Sequence, residues 1–502
     1  MDKQKELLKG LDQYTGDPLY DKFNFSTELV AIALSKMESG KSAGIDFLTV
    51  EHLYYCHPVI FTILSKLFNA MLKNSYVPRD FGRGITIPIP KNESTRGAHA
   101  IDTFRGITLS PVISKLFEHC LLILFSEYFS TSMNQFGFKS KVGCPHAIYV
   151  VRKVVDYYVN NSTVNLCFLD ISKGFDKINH SVLLLKLMKR NVPKVLVKLL
   201  QYWYNISYNI IRWNNSFSEP YKLTAGIRQG GVLSPILFSV YVDDCLNKLK
   251  LLGCRYKGIS VSAIMYADDI VLMSPSVTEL QNMINVCSNE LALVDLRINS
   301  LKSNAIRIGN RFRAICANLY AFEHNITWAN EAKYLGIWLQ SAAKFRCNFD
   351  KTKTKYYRAA NGILAKVGEK KDVAVTLQLL ASIALPILMY SLEALMLNKT
   401  ELNYINHPWT RSFEKLFLTF DKDIVQQCQH FTGYFSVIYY YCLRTMDFYT
   451  KLETSPNILL RVIYNADELD DISRLASMFE CDSKSFKEHY KSILTDYFNA
   501  TI

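Results

Sequence analysis

The sequence predicts an α+β fold in which antiparallel strands are backed by helices, and three observations point to it. The first is the run Ile264-Met265-Tyr266-Ala267-Asp268-Asp269-Ile270-Val271-Leu272-Met273. Two short apolar stretches rich in β-formers flank two adjacent aspartates. That reads as strand, tight turn, strand, because Asp tolerates turn geometry and the flanks favour burial. The second is Val164-Asn165-Leu166-Cys167-Phe168-Leu169-Asp170, an apolar strand that also ends in an acid. The third is helical patterning on either side, with the chain beyond residue 340 turning helical and basic.

Adjacent like charges at a hairpin tip repel, and they resist burial unless a cation sits between them and something else. Taken alone, an Asp-Asp pair more commonly means a solvated turn. A third acid at the end of another apolar strand moves the weight towards cation binding.

Composition sets the outer bounds. A chain of 502 residues, 49% hydrophobic and 21% charged, is long enough for several globular units. Its 58 Lys plus Arg against 45 Asp plus Glu leave a net charge of +13, which suits a polyanion such as nucleic acid but also an ordinary basic enzyme. Twelve cysteines are scattered without Cys-x-x-Cys or Cys/His ligand spacing, so neither a zinc knuckle nor a disulfide framework is expected. Reduced thiols fit an intracellular protein. Met1-Asp2-Lys3-Gln4 opens a polar segment without a signal pattern. The most apolar window, Leu377 to Leu397, contains Gln378, Pro386 and Glu393, and predicts a buried helix kinked at Pro386 rather than a membrane span.

Residues 1–55 read as helical and amphipathic, with a break at Lys41-Ser42-Ala43-Gly44-Ile45-Asp46, and 56–75 as a helix that Pro78 stops. Ile85 to Lys91 is strand-like, and its prolines confine it to a sheet edge. After the polar loop 92–103, Phe104 to Ser110 predicts a second strand, and a helix starts near Pro111. Lys91 and Arg105 stand close to that loop, the make-up of a mobile cationic flap; solvated surface charge is the alternative. Past Asp170 come Ile171-Ser172-Lys173-Gly174-Phe175-Asp176-Lys177-Ile178-Asn179-His180, with Ser181 placed to cap a helix from Val182. Gly226-Ile227-Arg228-Gln229-Gly230-Gly231-Val232-Leu233-Ser234-Pro235 leads into a helical run from Ile236 to Leu249. Paired glycines let a backbone approach a ligand closely, and Gln229 offers an amide to a base, sugar or phosphate.

The order of these pieces resembles the reverse transcriptases, and specifically those of non-LTR (LINE-type) retrotransposons. The likeness rests on the acid-ending strand with Phe175-Asp176 and His180, the Arg-Gln-Gly turn leading to Ser-Pro, and Tyr-Ala-Asp-Asp. It takes in Ile87-Pro88-Ile89-Pro90-Lys91, Phe104 to Phe117, Gln135-Phe136-Gly137-Phe138, Asn299-x-x-Lys302 and Lys333-Tyr334-Leu335-Gly336, and so covers residues 30–340 or thereabouts. Gly174 departs from the family's usual Ala, Gly106 from Pro and Lys139 from Arg. None of these removes a group the chemistry needs.

The resemblance implies a right-hand polymerase, with fingers and palm followed by a helical thumb. Residues 1–55 would extend the fingers, 56–340 form fingers and palm, 341–450 the thumb, and 451–502 a helical region of unknown role. The implied activity is RNA-directed DNA synthesis by two-metal phosphoryl transfer, with two Mg²⁺ ions or Mn²⁺ in their place. Asp170 and Asp268 would bridge the metals. Asp269 would support them or sit near the primer end, and the carbonyl of Ile171 would add a ligand. Lys91 and Arg105 would grip the triphosphate, while Gln229 and Gly230 meet the incoming nucleotide. Phe175 would stack beneath the sugar and exclude a 2′-hydroxyl; core packing is the alternative. Lys302 would protonate pyrophosphate or is a plain surface lysine, and Tyr266 would pack near the primer end. His180 and Asp176 read as local structure, and Tyr439-Tyr440-Tyr441 as core.

Lys351, Lys355 and Arg358, spaced i, i+4 and i+7, share one helix face and would track duplex phosphates; a solvated face is the alternative. The expected partners are an RNA template, a DNA primer or target and deoxynucleoside triphosphates, with no membrane, in the nucleus or cytoplasm. A group II intron-type reverse transcriptase or maturase shares Tyr-Ala-Asp-Asp, and a domesticated RNA-binding protein is the reading from another class.

Overall fold

A computed structural model describes residues 2–18, 23–91, 100–368 and 372–500. Residues 92–99 of the polar flap loop lie outside the described residues, as does Met1. The chain divides into two compact units, each built from strands and helices. One comprises Met1–Phe138, Asp170–Lys248 and Asn285–Asn299; the other comprises Lys139–Leu169, Leu249–Ile284 and Ser300–Ile502.

The first unit is centred on aromatic residues. Phe25, Phe68 and Phe117 are wholly buried, and Phe81 and Trp203 nearly so. Phe117 meets Phe68 with ring centroids 4.9 Å apart and Trp203 at 5.8 Å. The indole of Trp203 donates to the carbonyl of Phe81 at 3.1 Å, so the largest ring is both packed and polar-satisfied. These rings come from the helices Val59–Lys73, Val112–Leu124 and Lys194–Asn205 and from the chain near Phe25 and Phe81. The N-terminal stretch is less continuous than its amphipathic pattern suggests. It forms Asp2–Gln13, Thr27–Ser35 and Val50–Tyr54, and just before the second of these the Phe25 amide donates to Asn69 Oδ1 at 3.0 Å.

A five-stranded sheet completes this unit. The strand Arg83–Pro90 is not an edge strand, contrary to what its prolines suggest. It pairs antiparallel with Phe104–Leu109 over Ile85 to Pro90, and parallel with Tyr208–Trp213 over Arg83 to Thr86. Pro88 and Pro90 fall beyond the parallel pairing. They occupy the half of the strand with one neighbour, where a missing donor removes no second ladder bond. A second correction concerns the cap after Asp170. Asn179, not Ser181, caps the helix His180–Lys189, its side chain accepting from the amides of Ser181 and Val182 at 3.0 and 3.3 Å.

The second unit holds a six-stranded sheet in the order Leu319–Ala321, His324–Trp328, Asn304–Gly309, Thr163–Asp170, Asp269–Ser274, Ala263–Tyr266. Against it lies the helix Cys144–Val159, buried from Ala147 to Val155. Beyond residue 340 the chain is helical as expected, from Asp350–Val367 through Lys399–Phe417 and Val437–Glu453 to Ile458–Ala476 and Ser483–Ala500. Tyr441 is buried and donates to the carbonyl of Leu395 at 3.0 Å, which makes it core.

The apolar window is broken but only partly buried. A π-turn at Leu380–Ala384 precedes Pro386, where the missing N–H and ring would otherwise disrupt the helix. The segment Val373–Ala394 is long and apolar enough to cross a membrane by length and composition alone, and 39% of its most apolar window is buried.

The C-terminal helices are bound into this unit by charge. Arg152 and Lys153 are 2% and 4% exposed, and Asp471 is 4% exposed. Asp471 Oδ2 lies 3.2 Å from Arg152 Nη2 and 2.7 Å from Lys153 Nζ, and accepts from the Tyr449 hydroxyl at 3.0 Å. Lys153 also meets Asp467 at 3.2 Å, and Arg152 Nε donates to the carbonyl of Ala394 at 2.9 Å. Burial alone would raise the Asp471 pKa, but the Arg152 and Lys153 charges outweigh it and hold the carboxyl below its ordinary range.

Candidate active site

Asp268 and Asp269 sit where the strands Ala263–Tyr266 and Asp269–Ser274 reverse. Tyr266 pairs with Asp269, so the turn proper is Ala267-Asp268 and Asp269 opens the return strand. Ala267 has φ +57°, in the left-handed region where a glycine is usual at the first position of such a hairpin turn. A non-glycine held there is a strained point placed beside two carboxylates. Asp268 is half-buried and Asp269 exposed, while Ile270 to Ser274 are buried, so the turn is the wet end of a dry hairpin.

The neighbouring strand brings the third acid to the same end. Asn165 Nδ2 donates to the carbonyls of Ser274 and Pro275 at 3.1 and 3.2 Å, which sets the start of Thr163–Asp170 beside the end of Asp269–Ser274. The two strands therefore run antiparallel, and Asp170 finishes at the Asp268-Asp269 end of the sheet. The strand Asn304–Gly309 pairs Asn304 with Phe168, so Lys302, exposed two residues earlier, belongs to that end too.

In the first unit, the Gln-Gly-Gly loop is laced to the segment after Asp170. The amides of Gly226 and Ile227 donate to the carbonyls of Ile178 and Phe175 at 2.8 and 2.9 Å, and His180 Nε2 faces the Gly226 carbonyl at 2.7 Å. Gln229 Nε2 donates to Asp176 Oδ1 at 3.0 Å, and the Thr108 amide donates to the Gln229 carbonyl at 2.7 Å. Gly230 has φ +116°, and a Cβ there would meet the Thr108 carbonyl oxygen at 2.6 Å, so this loop needs glycine to dock on the strand. The Glu118 carboxylate accepts from the Leu233 amide at 2.6 Å; its burial raises its pKa despite that bond and the Arg228 charge.

Residues 89–339, half of the chain, match the family described as Reverse transcriptase (RNA-dependent DNA polymerase). The chain belongs to the reverse transcriptase family. Its relatives are enzymes of non-LTR elements. It is 26% identical over 330 residues to the RNA-directed DNA polymerase from mobile element jockey of Drosophila funebris, covering 64% of this chain and 35% of that protein. The probable RNA-directed DNA polymerase from transposon X-element of Drosophila melanogaster is 27% identical, over 63% of this chain and 35% of that protein. The Pol polyprotein from the type-2 retrotransposable element R2DM of the same species is 26% identical, over 62% and 30%. The chain thus spans about a third of the length of these relatives. A solved apo telomerase from Candida tropicalis is similar at TM-score 0.42 and 13% identity, over 88% of this chain and 74% of that one.

The chain places its expected site residues unevenly. Lys91 and Gln229 line one cavity of about 360 Å³ with Lys173, Asp176, Gly106 and Thr108. Arg105 is exposed and lies between Phe104 and Gly106, which line that cavity, so by strand alternation it projects from the other face. Lys91 Nζ donates to the Asp102 carbonyl at 2.7 Å. Phe175 stacks on Phe238, centroids 4.7 Å apart and planes 7° from parallel, and is half-buried, leaving part of the ring open. The family departure at Gly174 has its reason here, since an added Cβ would meet the Phe238 ring at 2.9 Å.

On the helix Asp350–Val367, Lys355 and Arg358 are exposed. Lys351 is instead paired with Glu331 and lies over the Trp338 ring. Tyr266 is half-buried, and burial followed by the neighbouring Cys144 and Tyr390 holds its phenol well above the ordinary pKa.

Three residues with a part in the arrangement carry no assignment from sequence. Asp176, read as local structure, orients the Gln229 amide. Lys173 stands in the motif after Asp170 and lines the Gln229 cavity, and its residue type was the available signal. Glu118 sits in an apolar helical run and nothing in the sequence singles it out.

Enzymes of this family work with divalent cations. Among the described residues no three His, Cys, Asp or Glu form a ready-made metal cage. The sheet end offers carboxylates from two separate turns and one backbone carbonyl. Ile171 forms a bridge with Ile298, and the bonds Ser172 N to Arg297 O and Asn299 N to Asp170 O, 2.9 and 2.8 Å, flank Ile171 without using its carbonyl. Hard oxygen donors completed by substrate phosphates suit Mg²⁺, which is usually held by one or two carboxylates plus substrate. The residues fit such a cation.

Proposed function

We propose that this chain is an RNA-directed DNA polymerase of a non-LTR retrotransposon, adding deoxynucleotides to a DNA 3′-hydroxyl on an RNA template. The observation that carries the reading is the convergence of Asp170, Asp268 and Asp269 on one end of one sheet. Bound there, two Mg²⁺ ions, or Mn²⁺, would activate the attacking hydroxyl and stabilise the leaving pyrophosphate. Asp170 and Asp268 would hold the cations and Asp269 would support them, with the Ile171 carbonyl completing the set. Lys91, in the cavity it shares with Gln229, bears on the triphosphate. Gln229, fixed by Asp176 and Thr108, would present its side chain to the nucleotide, and Lys302, exposed at the aspartate end of the sheet, would supply a proton to pyrophosphate. The test is extension of a DNA primer on RNA with deoxynucleotides and Mg²⁺. Template-dependent product is expected; its absence from folded protein overturns the reading.

Phe175 decides between deoxyribose and ribose in this scheme. Phe175→Val should admit ribonucleotides, because a shorter side chain leaves room for the 2′-hydroxyl, while part of the deoxynucleotide activity survives. Competition between dCTP and rCTP measures it, and unchanged discrimination would return Phe175 to its stacking role on Phe238.

Lys355 and Arg358 are proposed to track duplex phosphates from an exposed helix face. Changing both to Gln should flatten the slope of log K against log salt by about 2 units, with single-nucleotide addition at saturating template little changed. Lys351→Gln should move the slope less, because Lys351 already pairs with Glu331. Anisotropy on an RNA–DNA duplex reads both.

A further inference from the structure

We infer that the second unit carries a separate groove for single-stranded RNA, walled by Arg307 and Trp328 of its sheet and by the loop segments 312–316, 329–330 and 341–346. The groove has a volume of about 830 Å³ and meets the strand Asn304–Gly309 at Arg307. Its walls include Arg307, Arg313 and Arg346, the rings of Phe312 and Trp328, and no carboxylate residue. Arg307, the groove residue on that strand, pairs with Asn165, five residues before Asp170, which sets it about 17 Å of strand away from the proposed chemistry.

Arg307 is held in place by its surroundings. Arg307 Nε donates to Asn165 Oδ1 at 2.9 Å, and its guanidinium lies 5.7 Å from the Trp328 ring centre. Arg313 lies 5.1 Å from the Phe312 ring centre. Guanidinium groups interleaved with aromatic rings are how proteins take single strands, phosphates on the cations and bases on flat faces. At the rim, Ile315 is fully exposed, a bare apolar side chain on a cationic wall. The polar residues Asn318, Asn330 and Gln340 also line the groove and offer partners to 2′-hydroxyls, which DNA lacks. A duplex would bring phosphates but no unpaired bases for the rings.

The inference stands apart from the polymerase reading, so the test uses the full chain carrying Asp268→Ala, with a labelled single-stranded RNA as probe. Adding Arg313→Glu and Arg346→Glu, both at exposed positions, should weaken RNA binding more than tenfold at 0.1 M salt and flatten the salt slope by about 1.4 units. Arg313→Gln with Arg346→Gln should produce a smaller loss in the same direction, with an unchanged melting curve. In otherwise wild-type protein, neither pair should alter single-nucleotide addition on a short annealed primer–template. Unchanged RNA affinity and slope would overturn the inference. So would single-stranded DNA binding as tightly as RNA, or polyglutamate displacing the probe as readily as RNA does.

Discussion

Asp268→Ala should abolish DNA synthesis, by several orders of magnitude, and leave the fold intact. Asp268 is a half-buried turn residue with its side chain at the wet end of the hairpin, so its removal opens no cavity. What is lost is a hard oxygen donor from a proposed cation site of the kind Mg²⁺ usually builds from only one or two carboxylates plus substrate. Phosphoryl transfer asks the protein mainly for positioning and charge neutralisation, and both fail together if the cations are not held. Asp170→Ala should match it, from the neighbouring strand, and Asp269→Asn should cost less because Asp269 is the supporting group. Primer extension on RNA in Mg²⁺, with circular dichroism for the fold, checks all three. Near wild-type extension by Asp268→Ala would remove the active-site assignment.

Asp471→Asn should have the largest effect on stability, about 3–5 kcal/mol, without touching any residue of the proposed site. The change keeps the shape of the side chain but removes the charge that faces both Arg152 and Lys153. Breaking a buried pair from one side leaves charge uncompensated in a dry interior, whereas replacing all partners by apolar groups is far milder. Asp471→Leu combined with Arg152→Met and Lys153→Met should therefore recover much of the loss. The pH dependence has a definite sign. A carboxyl held below its unfolded pKa contributes stability above that value, about 3.9, and loses it as pH falls through the folded pKa. Urea unfolding at neutral pH and along an acid series, for wild type and variants, reads these effects. An unchanged midpoint for Asp471→Asn would mean that the helix Ile458–Ala476 is not anchored to Cys144–Val159 through this charge.

The chemistry of the candidate site was legible because its residue types are costly to place without a purpose. Acids at the ends of apolar strands resist burial, and a Gln followed by paired glycines marks a backbone that something must approach. Strand and helix identities followed from period and turn residues, since side-chain alternation and local φ/ψ preference act within a few residues. The extent of pairing around Pro88 did not follow, because the parallel partner Tyr208–Trp213 is remote in sequence and stops at Thr86. Nor did the anchoring of Gln229 by Asp176, the face from which Arg105 projects, or the engagement of Lys351 by Glu331.

What the sequence by itself determined is the family, the α+β class and the carboxylates on which the proposed chemistry turns. Those are properties of local pattern and of the order of motifs. Only the tertiary structure decided that three acids from two turns share one sheet end, that residues 458–476 are bound to the central helix by a buried charge cluster, and that arginines and aromatic rings line a second groove. Each of these depends on strand register and helix docking, where the energy lies in contacts between residues far apart in the chain, and no local preference encodes which partners will meet.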